Sequence, residues 1–160
     1  MNIPQKAEAA PLSHERLRAI LEAHARHVAT QGQEGQRADL TLRIVEDFSF
    51  TGLDLWGGKD PLYGTVFLRC RFVGTELYTL FMDVSAPGAD FQKANLAKSE
   101  FWDCNLSGAN FDGAGLLRVN FFDCDLRGAT FRGANLSMVS FRGSDTEGAI
   151  FDSGFVPGTA

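Results

Sequence analysis

The sequence contains 160 residues, of which 44 % are hydrophobic, enough for one domain with a buried core and too many for a disordered tail. Fifteen basic and 20 acidic side chains give a net charge of -5, which disfavours a cationic nucleic-acid platform, so no direct nucleic-acid partner is expected. Phe occurs 14 times against two Tyr and two Trp, which indicates that Phe is used repetitively.

Nothing in the sequence indicates export or membrane insertion. The N-terminal residues lack the apolar core of a signal peptide, and no stretch approaches the roughly 20 apolar residues that a membrane span needs. Cys70, Cys104 and Cys124 form no CxxC pair and indicate buried thiols in a reducing compartment. We therefore expect a cytoplasmic protein that does not contact membranes.

The N-terminal region is expected to precede the main fold. Residues 1–12 are polar and contain proline, and are predicted to be a flexible lead-in. Ser13 is a suitable N-cap, and an apolar stripe follows it with helical spacing, which predicts a capping helix over residues 13–31. The stripe comprises Leu17, Ile20, Leu21, His24 and Val28.

After Gly35 the sequence repeats every five residues, most regularly in the segments 89–108, 109–128 and 129–148. Each unit has a large apolar residue at its centre and a small residue two positions earlier. Period five fits neither an α-helix nor a flat strand. The predicted structural core consists of the centres Phe91, Leu96, Phe101, Leu106, Phe111, Leu116, Phe121, Leu126, Phe131, Leu136 and Phe141.

These units resemble the bacterial pentapeptide repeat family, with its A-(D/N)-L-x-x pattern. The matching triplets include Ala94-Asn95-Leu96, Ala109-Asn110-Phe111 and Ala134-Asn135-Leu136. The resemblance implies an all-β solenoid, a right-handed quadrilateral β-helix of five to six coils, with one unit on each side. A helix followed by Gly-x-Arg-Ala-Asp-Leu at 35–40 also resembles the lead-in of some bacterial members. In such a fold residues four units apart stack in columns at the ~4.8 Å spacing of β-structure.

The predicted solenoid spans residues 36–156, with two interruptions of the period. Leu77 lies only four residues before Phe81, which indicates a deletion of one residue. The centre Leu55 lies twelve residues before Phe67. We therefore predict an inserted loop of about seven residues within 56–64, which contains Gly-Gly and Pro.

The sequence does not favour catalysis or cofactor binding. It lacks a Ser-His-Asp set, a phosphate-binding glycine loop and zinc-ligand spacing, so we predict neither an enzyme nor a cofactor. His24 and His27 could share a metal, but no third ligand is indicated and no metal is assigned. Cys104 and Cys124 are expected to stack inward as small core residues, since parallel side chains are poorly directed for a disulfide.

One outward column breaks the rule that outward positions are polar. It consists of large apolar residues beside a row of like charges, which predicts a face for binding a partner or a second copy. The alternative that loop 56–64 folds over the column stays open. The candidate face comprises Trp56, Met82, Trp102 and Phe122 beside Asp83, Asp103 and Asp123.

The C-terminal end is a second candidate contact. The last centre is Phe151, and the large apolar residues after it are Phe155 and Val156. Either these side chains plug the end of the solenoid, or two chains stack end to end as a homodimer.

The favoured function is a non-enzymatic protein–protein interaction module that docks a specific partner or self-associates. The resemblance implies one alternative, a DNA-mimicking topoisomerase (gyrase)-binding protein that gives inhibitor resistance. Residues 89–160 carry nine acidic and six basic side chains, a small excess for a DNA mimic. A second alternative is a secreted effector or immunity-type accessory protein.

Overall fold

The computed structural model describes residues 10–36, 38–40, 43–50, 62–77 and 79–157. Its elements are β1 (Ala10–Pro11), α1 (His14–Ala29), β2 (Arg43–Glu46), β3 (Leu62–Tyr63), β4 (Val66–Leu68), β5 (Leu80–Met82), β6 (Glu100–Trp102) and β7 (Asn120–Phe122). The strands are short because the chain turns a corner after each unit.

Parallel pairing between successive coils builds the fold. The strands form two sheets, in the orders β1-β2-β4 and β3-β5-β6-β7, and every pair is parallel. In the second sheet Leu80 pairs with Glu100 and Glu100 with Asn120, so each residue pairs with the one that stands four units later. Isolated bridges such as Asn110 with Thr130 continue the same register on the other sides. Each coil of the chain therefore lies directly on the preceding one.

Stacked Phe rings fill the interior. In the ladder Phe91, Phe111, Phe131 and Phe151, neighbouring ring centroids are 4.9 to 5.1 Å apart and the planes lie within 6° of parallel. The backbone spacing of β-structure imposes this distance on the rings. The predicted centres from Phe91 to Phe131 and Phe141 are buried, whereas Leu136 is half-buried because no described coil fully covers it.

Each corner is made by a residue in the left-handed backbone region, two positions after the centre. Gly108, Gly128 and Gly148 hold φ angles of 65 to 67° there. This conformation strains L side chains, which explains why many of the periodic glycines occupy this position.

The N-terminal segment covers the first edge of the solenoid. Ala10–Pro11 pairs with Arg43 and Ile44, and the Leu12 N–H donates to the Ile44 carbonyl at 2.9 Å. The prediction of a flexible lead-in is therefore wrong for residues 10–12, because an unpaired strand edge is available there to bind them. Residues 1–9 lie outside the described chain.

Helix α1 packs on this first coil. Its N-cap is Ser13, whose side chain accepts from the Arg16 N–H, and Leu17 is completely buried in the core. The helix ends at Ala29, two residues before the predicted end, because Thr30 is the C-cap and Gln31 adopts a φ of 54°.

The insertion predicted within 56–64 is wrong in its size and in its C-terminal boundary. Val45 pairs with Phe67, so this coil exceeds the regular four units by two residues rather than by about seven. The reason is that Leu62 pairs with Phe81 and occupies a further centre position five residues before Phe67. Residues 56–61 of the predicted loop lie outside the described residues.

The register also locates the deletion. Glu76 pairs with Asn95, one residue short of four units, whereas Leu80 pairs with Glu100, four full units later. The missing residue therefore lies between 76 and 80, as the spacing of Leu77 and Phe81 predicts.

Candidate interaction face

Three large apolar side chains form a continuous outward strip on β5, β6 and β7. Met82 pairs with Trp102 and Trp102 with Phe122, so the three residues lie in one column, here called the aromatic strip. Met82 is 36 % and Trp102 38 % exposed, and Phe122 is half-buried. The Trp102 and Phe122 ring centroids are 4.2 Å apart with the planes inclined by 37°. The strip is thus one contiguous apolar surface.

A surface carboxylate fixes the orientation of the indole. The Trp102 Nε1–H donates to Glu100 Oε2 at 3.1 Å, across the same strand. With Phe122 against one face and this hydrogen bond at one edge, the Trp102 ring is held before any partner arrives.

Small polar side chains in the core hold the backbone behind the strip. The Cys104 and Cys124 thiols donate to the carbonyls of Trp102 and Phe122, with sulfur–oxygen distances of 3.3 Å each. One coil further on, the Ser144 hydroxyl accepts from the Cys124 N–H at 3.0 Å. The side chains of Cys104, Cys124 and Ser144 therefore add hydrogen bonds to their small volume.

All three cysteines are buried and free, as reduced thiols. The neighbouring Cys124 thiol and burial both raise the pKa of Cys104. Burial likewise raises the pKa of Cys70. Both groups therefore stay protonated donors at neutral pH rather than nucleophiles. Within the described residues, no three His, Cys, Asp or Glu side chains come together as a metal site.

A column of carboxylates runs beside the strip. Asp83, Asp103 and Asp123, here called the acidic ladder, occupy the corner position with φ angles of 51 to 54°. Asp83 is half-buried, whereas Asp103 and Asp123 are exposed, and the Asp123 carboxylate also lies against the next coil. No described residue forms an ion pair with any of the three.

Several carboxylates on the other sides of the coil form ion pairs with arginines. Arg127 Nη2 lies 2.7 Å from Asp125 Oδ2, and this hydrogen bond lowers the pKa of Asp125. Further pairs are Arg69 with Asp47 and Glu46, Arg71 with Asp90, Arg127 with Asp145, and Arg132 with Asp112. The acidic ladder, by contrast, is a whole column of carboxylates without such a partner among the described side chains.

The ladder ends at Gly143, and the Asp123 carboxylate occupies the space above it. A Cβ atom at Gly143 would collide with Asp123 Oδ1. The Asp123 carboxylate thus extends over the next coil, where Arg142 continues the column of the strip.

At the N-terminal end of the predicted face, a different residue lies in the column of Met82. Tyr63, rather than Trp56, holds the register position beneath Met82. Trp56 and the possible cover by residues 56–61 lie outside the described residues. The sequence signal for Tyr63 is the centre Leu62 immediately before it.

At the C-terminal end the core is incompletely covered. Phe151 and Phe155 are half-buried, with ring centroids 5.0 Å apart, and Val156 is 62 % exposed. Phe155 also meets Phe141 edge-on at 6.0 Å. Phe155 therefore folds over the end of the core without closing it.

Stacked parallel coils with four sides and inward centres define a quadrilateral β-helix. A family model described as a pentapeptide repeat region matches residues 60–151, and the chain belongs to this family. The fold is accordingly the right-handed form of this family. No curated protein shows a significant sequence match to the chain.

Several solved structures are similar in fold. Rfr23, a pentapeptide repeat protein from the cyanobacterium Cyanothece 51142, is 16 % identical, covers 68 % of this chain and 88 % of its own, and has a TM-score of 0.64. QnrB1, a plasmid-mediated fluoroquinolone resistance protein, is 21 % identical over 65 % of this chain and 68 % of its own, with a TM-score of 0.49.

HetL, a pentapeptide repeat protein involved in heterocyst differentiation regulation in Nostoc sp. strain PCC 7120, is 23 % identical over 76 % of this chain and 62 % of its own, with a TM-score of 0.31. At 16 % identity the similarity to Rfr23 shows the fold alone. In the described part of the chain, no helix has the length and apolar character to cross a membrane.

Replacing Cys124 tests the donor role of the core thiols. We expect Cys124→Ala to lower the free energy of unfolding by about 1 kcal/mol or more, because it removes the single S–H donor that lies within reach of the Phe101 and Phe122 carbonyls. Cys124→Ser keeps a donor and should be closer to the native protein in urea denaturation. Equal stability of the alanine variant and the native protein would contradict this role.

Proposed function

We propose that this chain is a non-enzymatic protein-interaction module that docks a protein partner through the aromatic strip and the acidic ladder. The observation that carries the proposal is the exposed, ordered apolar column on a face whose neighbouring positions are polar or charged. Trp is among the residues that most often dominate the binding energy of protein interfaces.

The face is rigid, which favours binding. The Asp83 N–H donates to the Trp102 carbonyl at 2.9 Å, and the Asp103 N–H donates to the Phe122 carbonyl at 3.0 Å. Both columns are therefore fixed by the same bonds that stack the coils. A partner docking here would lose little affinity to ordering of this surface.

The interior and the cavities support a non-enzymatic role. Stacked Phe side chains fill the coil, so the described carboxylates lie outside it without a cleft to desolvate them. A cavity of about 190 Å³ lies between α1 and the first coil, lined by Leu12, Ile20, Arg16 and Asp39 among others. It is smaller than the roughly 300 Å³ of a typical ligand pocket.

The two alternative functions would use the same surface, the aromatic strip and the acidic ladder. A DNA-mimicking, topoisomerase-binding role is less favoured, because carboxylates such as Asp112 and Asp125 are paired with arginines and do not add to an extended negative potential. A secreted effector or immunity-type role differs from the proposal only in the identity of the partner and its compartment.

Variant capture tests the proposal. Native protein, Trp102→Glu and Leu117→Glu are immobilised and used to capture proteins from the native lysate. Leu117 is the matched control, because it is 37 % exposed against 38 % for Trp102 and lies on another side of the coil. We expect at least one protein to be retained by the native chain and Leu117→Glu and lost with Trp102→Glu, because a carboxylate on the strip disrupts apolar packing.

The same set of proteins on all three chains, with folding confirmed by circular dichroism, would overturn the proposed face. Loss of the retained protein with both variants would also count against it, because the effect would then be that of any added charge.

The C-terminal end is the surface for self-association in this proposal. The end of the solenoid is apolar, with Phe151 and Phe155 half-buried and Val156 exposed. No described coil follows that could accept a hydrogen bond from the Phe151 N–H. A second copy related by a two-fold axis would cover both ends at once. A homodimer built this way leaves the aromatic strip available.

Light scattering tests the homodimer. The native protein should have twice the 17.5 kDa mass of one chain, and Val156→Asp should shift it towards the single-chain mass because a charge is then buried at the contact. Leu117→Asp is the control, since Leu117 is 37 % exposed and lies one coil before the C-terminal one. A native mass of 17.5 kDa over the accessible concentration range would exclude the dimer.

A further inference from the structure

The aromatic strip and the acidic ladder present two different recognition elements side by side. Trp102 and Phe122 offer ring faces and edges, and the next residue in the chain after each is an aspartate. Because the register repeats, the combination of aromatic ring and carboxylate occurs twice, in adjacent coils. Met82 with Asp83 adds an apolar contact and a third carboxylate.

The described residues of this face are net negative, since Asp83, Asp103, Asp123 and Glu100 outnumber Arg142, which continues the column of the strip. Several carboxylates on other sides are paired with arginines, such as Asp125 with Arg127 at 2.7 Å and Asp47 with Arg69 at 2.6 Å. Asp103 and Asp123 have no such partner among the described residues, and both reach the surface. A partner that complements the face therefore supplies positive charge.

Because the two columns are adjacent, one partner side chain can supply both the apolar contact and the positive charge. An arginine meets both requirements: its planar guanidinium stacks on an aromatic ring and donates a pair of hydrogen bonds to a carboxylate. The ammonium group of lysine is compact and strongly hydrated and cannot make the bidentate contact.

We infer that the aromatic strip and the acidic ladder bind an arginine-bearing segment of the protein partner, an inference that rests on the proposed function. The guanidinium groups lie over the strip at Trp102 and Phe122 and hydrogen-bond to Asp103 and Asp123. The Glu100 carboxylate, which already accepts from Trp102 Nε1, keeps the indole oriented for this contact.

Peptide titration tests this inference. The full chain carries two tryptophans, so Trp56→Phe leaves Trp102 as the only indole whose fluorescence responds. The probes are acetyl-Gly-Arg-Gly-Arg-Gly-amide and the same peptide with lysine or citrulline at both Arg positions. We expect the arginine peptide to change the Trp102 emission and to bind at least about threefold more tightly than the lysine peptide.

Matched charge variants separate recognition from general attraction. Asp103→Asn with Asp123→Asn should weaken arginine-peptide binding about tenfold, because two charge-assisted contacts are lost. Asn tolerates the positive φ of both positions, so the corner is retained. Asp112→Asn with Asp145→Asn removes the same charge from other sides and should leave the affinity within twofold.

Three results would overturn the inference: an unchanged Trp102 emission with the arginine peptide, equal affinities of the arginine and lysine peptides, or equal weakening by the two double variants. If one of these occurs while Trp102→Glu still abolishes capture of the partner, the arginine chemistry is wrong and the proposed docking face stands.

Discussion

The hydrogen-bonded ladder between successive coils is the interaction on which every other feature depends. The N–H of a centre donates to the carbonyl one coil further on, as from Phe111 to Thr130 at 2.7 Å and from Phe131 to Ile150 at 2.8 Å. These bonds fix the register at four units over the regular coils. Burial of the Phe and Leu centres stabilises the stack, but the ladder decides which residues are neighbours.

The same register builds the candidate site. Once centres stack inward, the residue after each centre must lie outward above its counterpart in the preceding coil. Trp102 and Phe122 are thereby brought together, as are Asp103 and Asp123, with no loop needed to position them. Because these columns share the backbone bonds of the core, the surface has the rigidity of the core. The two ends lack this continuity, which explains why the helix and β1 cover one end and Phe155 only partly covers the other.

Much of this architecture is predictable from the sequence, because five-residue periodicity directly encodes which side chains point inward. The period predicts the buried centres, the outward column at Met82, Trp102 and Phe122, and the deletion before Phe81. It does not predict pairing at an edge: Ala10–Pro11 has no strand pattern, and it pairs because Arg43–Ile44 offers free backbone groups. Leu62 was missed because Pro61 and the preceding glycines are typical of a loop, although its spacing to Phe67 is regular.

Amide hydrogen exchange followed residue by residue by NMR tests the central claim, that a backbone ladder in a four-unit register organises the molecule. The account predicts slow exchange at the centres Phe111, Leu116 and Phe131, whose N–H groups donate to the next coil. It predicts fast exchange at the outward Asp112 and Arg132, whose N–H groups donate only to surface carboxamide or carboxylate oxygens. Uniform protection across these residues, or protection with a helical period, would contradict it.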